Sequence, residues 1–279
     1  MIHSVATPGI TVGGVHELRR TWKPESDPAA EIVLVHGQAE HSGRYERVGS
    51  LLAEGGMAVR GFDLIGHGAS GGRRGDIADW SMFLDQIQHH LEEAVDTGRP
   101  TVLFAHSTGP LMALDYLLSE RQPKPDLCVF SAAALHVADD FRTRILRPLI
   151  PLLASLFPTV SLRAPVRPDQ LSRNPEVGEA YVTDPLVHRP VTFRYAYSYL
   201  QAQQRVTAHL DRVSVPMLVL HGGMDTIVPP WVSVELGATT AAERRVYPTL
   251  RHEIYNEPEG PALVAEVLEW IRGRLALQA

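Results

Sequence analysis

The chain has 279 residues, a length that one α/β domain carrying an insertion can fill. Apolar residues make up 44% of the chain and charged residues 21%, as is typical of a globular protein with a sizeable core. The formal net charge of -6, with no basic cluster to offset it, argues against a nucleic-acid partner.

No segment has the pattern of a secretory signal or a membrane span. Residues 1–14 lack a basic start and an apolar stretch. The longest apolar candidate, 145–162, is interrupted by Arg147 and three prolines. We therefore expect a soluble, cytoplasmic protein. The single cysteine, Cys128, cannot form an internal disulfide, and its apolar surroundings indicate a buried strand residue.

Short apolar runs alternate with amphipathic segments along most of the chain. Strands are predicted at 32–35, 57–62, 101–105, 127–130, 217–220 and 244–247, and helices at 45–54, 80–95, 111–119, 231–236 and 263–275. Strands of this length that are apolar on both faces and separated by helices are buried on both sides. The pattern predicts the α/β class, with a mostly parallel central sheet and helices on both faces.

The segment 135–208 breaks this rhythm. It begins apolar, contains several prolines and an aromatic cluster, and shows no alternation of strand and helix. It is also too long for a plain connection within a domain. We interpret it as a mainly helical cap inserted into a core domain that comprises 1–134 and 209–279.

Ser107 lies between a predicted strand and a predicted helix. A serine on such a turn projects its hydroxyl above the C-terminal edge of the sheet, at the N-terminus of the helix. The usual pattern is G-x-S-x-G, and here Ala105 replaces the first glycine. The alternative role for Ser107 is that of a helix cap. The motif favours a nucleophile.

A serine hydroxyl needs a base, and the base needs an acid that orients it. Asp225 follows the strand at 217–220, and His252 follows the last predicted strand. This gives the order serine, acid, histidine along the chain, which suits a nucleophile on a strand-to-helix turn. Asp139 or Asp140, after an earlier strand, is the alternative acid.

An acyl-transfer site also requires two backbone N–H donors for the oxyanion of the tetrahedral intermediate. One is expected from Thr108, directly after the nucleophile. The other is expected from Gln38, in the loop that follows the strand at 32–35, where Gly37 allows the backbone to approach the substrate.

Residues 36–45, HGQAEHSGRY, resemble the HGxxEHxxRY signature of the monoacylglycerol lipases, within the α/β-hydrolase superfamily. Further matches are DLIGHGAS at 63–70, LSRNP at 171–175, TDPL at 183–186 and NEP at 256–258. The resemblance covers nearly the whole chain, including the cap.

This resemblance implies that the protein hydrolyses monoacylglycerols to glycerol and a fatty acid through an acyl-serine, without a cofactor. It assigns the catalytic triad and the oxyanion hole to the five residues already named. Glu40 and Arg44 match polar positions near the glycerol end of the pocket, with bracing of the loop as their alternative role. The expected partner is a small lipid ester. The apolar surface at 145–162 would line an acyl tunnel or touch a membrane transiently, or else pack on the core domain.

Several alternatives stay open at this point. A carboxylesterase, a lysophospholipase or a lactonase would use the same triad, and a noncatalytic ligand-binding homologue is a more remote alternative. Gln38 is larger than the residue common at its position, which bears on substrate preference.

The thirteen histidines show no HExxH spacing, so no metal site is expected. We expect His89 and His90 to be solvated on their helix. The sequence does not indicate an oligomeric state.

Overall fold

The computed structural model describes residues 2–11, 13–136, 141–163, 166–239 and 241–276. The alternative acids Asp139 and Asp140 lie outside these ranges. The strands of the described residues are β1 (Val5–Ile10), β2 (His16–Trp22), β3 (Ala30–Val35), β4 (Met57–Phe62), β5 (Thr101–His106), β6 (Leu127–Ser131), β7 (Ser161–Arg163), β8 (Pro190–Thr192), β9 (Met217–Gly222) and β10 (Ala242–Tyr247). The helices are α1 (Glu46–Glu54), α2 (Ser81–Val95), α3 (Gly109–Leu118), α4 (Phe141–Leu146), α5 (Ile150–Leu156), α6 (Pro175–Thr183), α7 (Phe193–Thr207), α8 (Val232–Gly237) and α9 (Gly260–Ala276).

Eight strands form the central sheet, in the order β1-β2-β4-β3-β5-β6-β9-β10. From β4 to β10 all neighbouring strands of the central sheet are parallel, and β2 alone runs antiparallel to its two neighbours, β1 and β4. Every residue of β3, β5, β6 and β9 is buried. Each fully buried Val, Leu or Ile contributes roughly 1.5–3 kcal/mol of transfer free energy. The predicted α/β architecture is therefore confirmed, as is the burial of Cys128 in β6.

Helices cover both faces of this sheet. On one face α1 and α9 pack against β3 and β4 through a core that includes Leu52, Val267 and Ile271. On the other face α2, α3, α7 and α8 enclose a second core. All six predicted strands and all five predicted helices of the core are present, with ends that move by up to three residues.

The antiparallel pair β1–β2 has no counterpart among the predicted strands. β1 is almost entirely exposed at the edge of the sheet and contains Pro8 and Gly9, so it has no apolar pattern. In β2 the inward-facing positions include Glu17, which is fully buried. A polar residue on the core face hides the alternation on which strand prediction depends.

His90 lies in the core, so the expected solvation of the His89–His90 pair is wrong for this residue. Its ring stacks on Phe62 with centroids 4.0 Å apart. Its Nε2 lies 3.1 Å from a carboxylate oxygen of Glu17. Glu17 and His90 belong to different elements, so the hydropathy of α2 alone does not indicate that they pair. The pattern of α2 therefore predicted an exposed position for His90.

Between β6 and β9 the chain forms α4 to α7 and the two-stranded antiparallel sheet β7–β8. α7 packs on α3 and α5. Apolar side chains on and after α5 stay in contact with solvent, with Leu152, Leu156 and Phe157 each more than half exposed. In the ranges that the structure describes, no helix combines the length and the apolar character needed to cross a membrane.

Candidate active site

Ser107 occupies the tight turn between β5 and α3. Its φ of 56° lies in the left-handed region, which costs a residue with a side chain roughly 1–2 kcal/mol. The turn brings the backbone at Gly109 close to β3, where only a glycine fits, because a Cβ at this position would stand 2.6 Å from the carbonyl oxygen of Val35. Ala105, in place of the usual glycine, is a fully buried residue of β5, where its methyl group is accommodated. A strained serine held at the end of a buried strand is typical of a nucleophile.

The structure brings Ser107, His252 and Asp225 together from three separate strand ends. Nε2 of His252 lies 3.0 Å from the hydroxyl oxygen of Ser107, and its Nδ1 lies 2.8 Å from Oδ2 of Asp225. The other carboxylate oxygen of Asp225 accepts hydrogen bonds from the backbone N–H groups of Ile227 and Val228. This is the geometry that a proton relay from serine to histidine requires.

The pKa values of the acid and the base are shifted in opposite directions. Burial alone would raise the pKa of Asp225, but His252 and the hydrogen bonds to the carboxylate hold it well below its usual range. Burial opposes the charging of His252, yet the Asp225 carboxylate raises the pKa of this imidazole. Asp225 therefore stays ionised and favours the imidazolium that forms when His252 takes a proton.

The backbone N–H groups of Gln38 and Thr108 both stand free next to Ser107. Among the described residues, neither group donates a hydrogen bond to another protein atom. The loops are close at this point, since a Cβ on Gly37 would lie 2.7 Å from that of Ser107. The side chain of Gln38 turns to His67, with its Oε1 2.9 Å from Nε2 of the ring. Two free donors beside a nucleophile are suited to hold an oxyanion.

Glu40 and Arg44 contact buried protein groups. Oε1 of Glu40 accepts hydrogen bonds from the N–H of Gly37 and from the hydroxyl of Tyr45. The guanidinium of Arg44 donates from Nη2 to both carboxylate oxygens of Glu253, at 2.7 and 2.9 Å. These contacts brace the loop, which is the alternative role that the sequence left open. Contact with the alcohol of a substrate stays a prediction.

Glu253 is the residue of this site that sequence reasoning missed. It lies 209 positions from Arg44, and a charged residue after the predicted base has no spacing that would identify it. Its carboxylate acts on Glu40: burial, and then the negative charge of Glu253, raises the pKa of Glu40 to about 7. The site therefore contains two carboxylates that share one guanidinium.

The loops around the site are held by buried polar residues. Asp63 accepts hydrogen bonds from the N–H and the hydroxyl of Ser42 and from the N–H of Ala69. The Nε2 of His36 accepts from the N–H of Leu64. Burial lowers the pKa of His36 to about 4 and that of His67 to about 3, so both rings are neutral. The described ranges contain no group of three or more His, Cys, Asp or Glu residues that could hold a metal ion.

Comparisons with known proteins show which family the chain is similar to. A family described as serine aminopeptidase, S33 matches residues 26–259. A monoacylglycerol lipase from Mycolicibacterium smegmatis is 32% identical and aligns over 95% of both chains. The human monoglyceride lipase is 28% identical over 96% of this chain and 90% of its own. The crystal structure of a monoacylglycerol lipase from Paleococcus ferrophilus superimposes with a TM-score of 0.82 at 29% identity, over 93% of this chain and 99% of that one.

Proposed function

We propose that the substrate of this protein is a monoacylglycerol. The premise is that the chain belongs to the monoacylglycerol lipase family of α/β-hydrolases and is a serine ester hydrolase. The products would be glycerol and a fatty acid. The observation that carries the proposal is the alignment of Ser107, His252 and Asp225 at 3.0 and 2.8 Å in a chain similar to monoacylglycerol lipases along its length.

The proposed reaction begins when His252 takes the proton of Ser107 and the serine oxygen attacks the ester carbonyl. The N–H groups of Gln38 and Thr108 hold the oxyanion that forms. His252 then protonates the glycerol oxygen as the bond to the acyl group breaks. A water molecule, deprotonated by the same imidazole, attacks the acyl-serine and releases the fatty acid. Asp225 keeps the imidazole oriented throughout.

The segment 135–208 serves in this proposal as a cap that meets the lipid phase. Leu152, Leu156 and Phe157 expose apolar surface on and after α5. The same segment contains nine arginines, no lysine and six acidic residues, so it is basic within an acidic chain. A basic surface with exposed apolar side chains suits the interface of an anionic membrane.

Vesicle binding tests this role of the cap. We expect Leu152→Ser combined with Leu156→Ser to reduce co-sedimentation with anionic phospholipid vesicles, while turnover of a water-soluble ester stays normal. Val234→Ser is the matched control, because Val234 is similarly exposed on α8 of the core. Equal vesicle binding by all three proteins would contradict a membrane-facing cap.

A substrate series tests the chemistry. We expect kcat/KM to be higher for monoacylglycerols than for p-nitrophenyl esters, lysophospholipids and lactones of matched acyl length. A preference for lactones or lysophospholipids over every glyceride would overturn the monoacylglycerol assignment while leaving the ester hydrolase in place.

A further inference from the structure

We propose that the buried ion pair between Arg44 and Glu253 is a positioning element that links the oxyanion loop (36–45) to the histidine loop (250–257) and holds the imidazole of His252 in line with Ser107. The proposal rests on the function proposed above. It assigns to Glu253 a role in the reaction that neither the sequence pattern nor the comparisons indicate.

The geometry of the pair is that of a rigid contact. One guanidinium nitrogen, Nη2 of Arg44, meets both carboxylate oxygens of Glu253. The two side chains are only 7% and 4% exposed. The amide of Asn256 donates a third hydrogen bond to the same carboxylate, at 2.7 Å. Because Glu253 directly follows His252, fixing its side chain restrains the backbone that carries the imidazole.

The other end of the link reaches the oxyanion loop. Nε of Arg44 lies 3.7 Å from Oε2 of Glu40, and Oε1 of Glu40 accepts the N–H of Gly37, the residue before Gln38. Contacts therefore run without interruption from the predicted oxyanion donor to the predicted base.

A second connection runs parallel to the ion pair. The hydroxyl of Tyr255 donates to that of Tyr45 at 3.1 Å, and Tyr45 in turn donates to Glu40. The guanidinium of Arg44 also lies over the ring of Tyr181, 5.0 Å from its centroid. Tyr181 belongs to α6 in the cap segment, so the link joins three parts of the chain.

The charges of this cluster favour the protonated imidazole. The charged and titratable groups around His252 are Asp225 with His221 behind it, His106 with its ring 4.8 Å away, and the cluster of Glu253, Glu40 and Arg44. After the opposing effect of burial and the larger effect of Asp225, the carboxylates of Glu253 and Glu40 also raise the pKa of His252. The imidazolium formed during acyl transfer is stabilised by the same charges.

Two esters separate positioning from substrate binding. If Arg44 and Glu253 bind the glycerol moiety, their loss raises KM for a monoacylglycerol and leaves a p-nitrophenyl ester of the same acyl chain unaffected. If they position His252, kcat falls for both esters. We expect Glu253→Gln to lower kcat about 10- to 100-fold for both, with KM changed by less than about threefold.

The pH profile provides a readout that a merely structural role would not move. Removal of the Glu253 charge takes away one of the carboxylates that favour the imidazolium of His252 and leaves Arg44 with Glu40 as its acidic partner. We therefore expect the acid limb of kcat/KM to move to lower pH by about half a unit to one unit in Glu253→Gln. Glu253→Asp and Arg44→Lys keep the charges, and their acid limbs should lie closer to that of the native enzyme even where kcat falls.

Glu31→Gln is the matched control. Glu31 is a buried glutamate paired with Arg60 at 3.0 Å, at the start of β3 and away from the loops at its other end. Thermal unfolding identifies any variant that is not folded, and the conservative variants are used in that case. Unchanged kcat, an effect restricted to the monoacylglycerol, or an unmoved acid limb would each overturn the positioning role.

Ser107→Ala, assayed in parallel, distinguishes a failure of the positioning role from a failure of the proposed function on which it rests. An active Ser107→Ala would overturn the proposed function. An inactive Ser107→Ala beside a fully active Glu253→Gln would overturn the positioning role alone.

Discussion

Two clusters of buried charge, one beside Ser107 and one between β2 and α2, affect a glutamate in opposite ways. In the β2–α2 cluster Glu17 is fully buried, yet its pKa is lowered to about 2, because hydrogen bonds from His90, Gln86 and Arg19 outweigh the effect of burial. In the cluster beside Ser107, burial and the charge of Glu253 raise the pKa of Glu40 to about 7.

The difference lies in burial and in the charged neighbours of each carboxylate, because Glu40 has the like charge of Glu253 beside it. Glu17 accepts from Arg19, Gln86 and His90 at 2.7–3.1 Å, so its negative charge is well satisfied. Glu40 shares the single guanidinium of Arg44 with Glu253, which takes the shorter contacts. A satisfied buried charge stabilises the fold, whereas an excess of one sign is typical of functional sites. The β2–α2 cluster should therefore affect stability and the site cluster should affect activity.

The largest effect is expected at the nucleophile. We predict that Ser107→Ala lowers kcat by on the order of 10⁴- to 10⁶-fold without lowering the melting temperature. Ester turnover and thermal unfolding of the same preparations check both parts. Ser119→Ala, directly after the other end of α3, is the control and should behave like the native enzyme. A large loss of stability in Ser107→Ala would contradict the claim that the cluster beside Ser107 affects activity and not stability.

The next effect concerns the acid. In Asp225→Asn the amide no longer selects the histidine tautomer that faces Ser107, so we predict a fall in kcat on the order of 10⁴-fold. Single-turnover measurements should place the loss in acylation. Activity near that of the native enzyme would mean that another carboxylate orients His252, with Asp139 and Asp140 as the first to examine.

A smaller effect, on stability alone, is expected for Glu17→Gln. Loss of the carboxylate leaves Arg19 and His90 without their buried partner, which should lower the free energy of unfolding by about 3 kcal/mol at neutral pH. Because folding lowers the pKa of Glu17, this stabilisation is present above its unfolded value of about 4.5 and is lost as the pH falls toward 2.

Urea unfolding at several pH values checks the Glu17 prediction, with the exposed Glu120→Gln as control. The difference between native protein and Glu17→Gln should shrink in acid. A variant with normal stability and reduced kcat would reverse the roles assigned to the two clusters.

The smallest effect is expected for Glu40→Gln, with the opposite pH dependence. Since folding raises the pKa of Glu40 from 4.5 to about 7, the native protein loses stability at this site as the pH rises through that window. Glutamine cannot ionise but still offers an oxygen to the N–H of Gly37. The variant should therefore gain stability relative to the native protein between pH 4.5 and 7, as measured by urea unfolding. A constant difference across this range would contradict the raised pKa.

The sequence alone predicted the parts of the molecule that depend on local pattern. β3, β5 and β6 are apolar at nearly every position, and a buried parallel strand needs little else to be identified. The order of Ser107, Asp225 and His252 followed because each residue lies within five positions of the end of a predicted strand. Their mutual distances required the structure.

The parts that could not be predicted depend on contacts between distant residues. Glu17 meets Gln86 and His90 at separations of 69 and 73 positions, and Arg44 meets Glu253 at 209. The sequence pattern predicts that a charged residue in a polar stretch is exposed, because its buried partner lies elsewhere in the chain. The strand β2 and the contact between Glu253 and Arg44 were missed for this same reason.

The most direct test of the central claim is covalent labelling with a fluorophosphonate, followed by digestion and mass spectrometry. We expect one adduct, on the peptide that contains Ser107, together with complete loss of ester hydrolysis. The adduct should be absent from Ser107→Ala and should form slowly in His252→Ala. An enzyme that remains unlabelled while it hydrolyses esters, or that is inactivated by an adduct on another residue, would contradict Ser107 as the nucleophile.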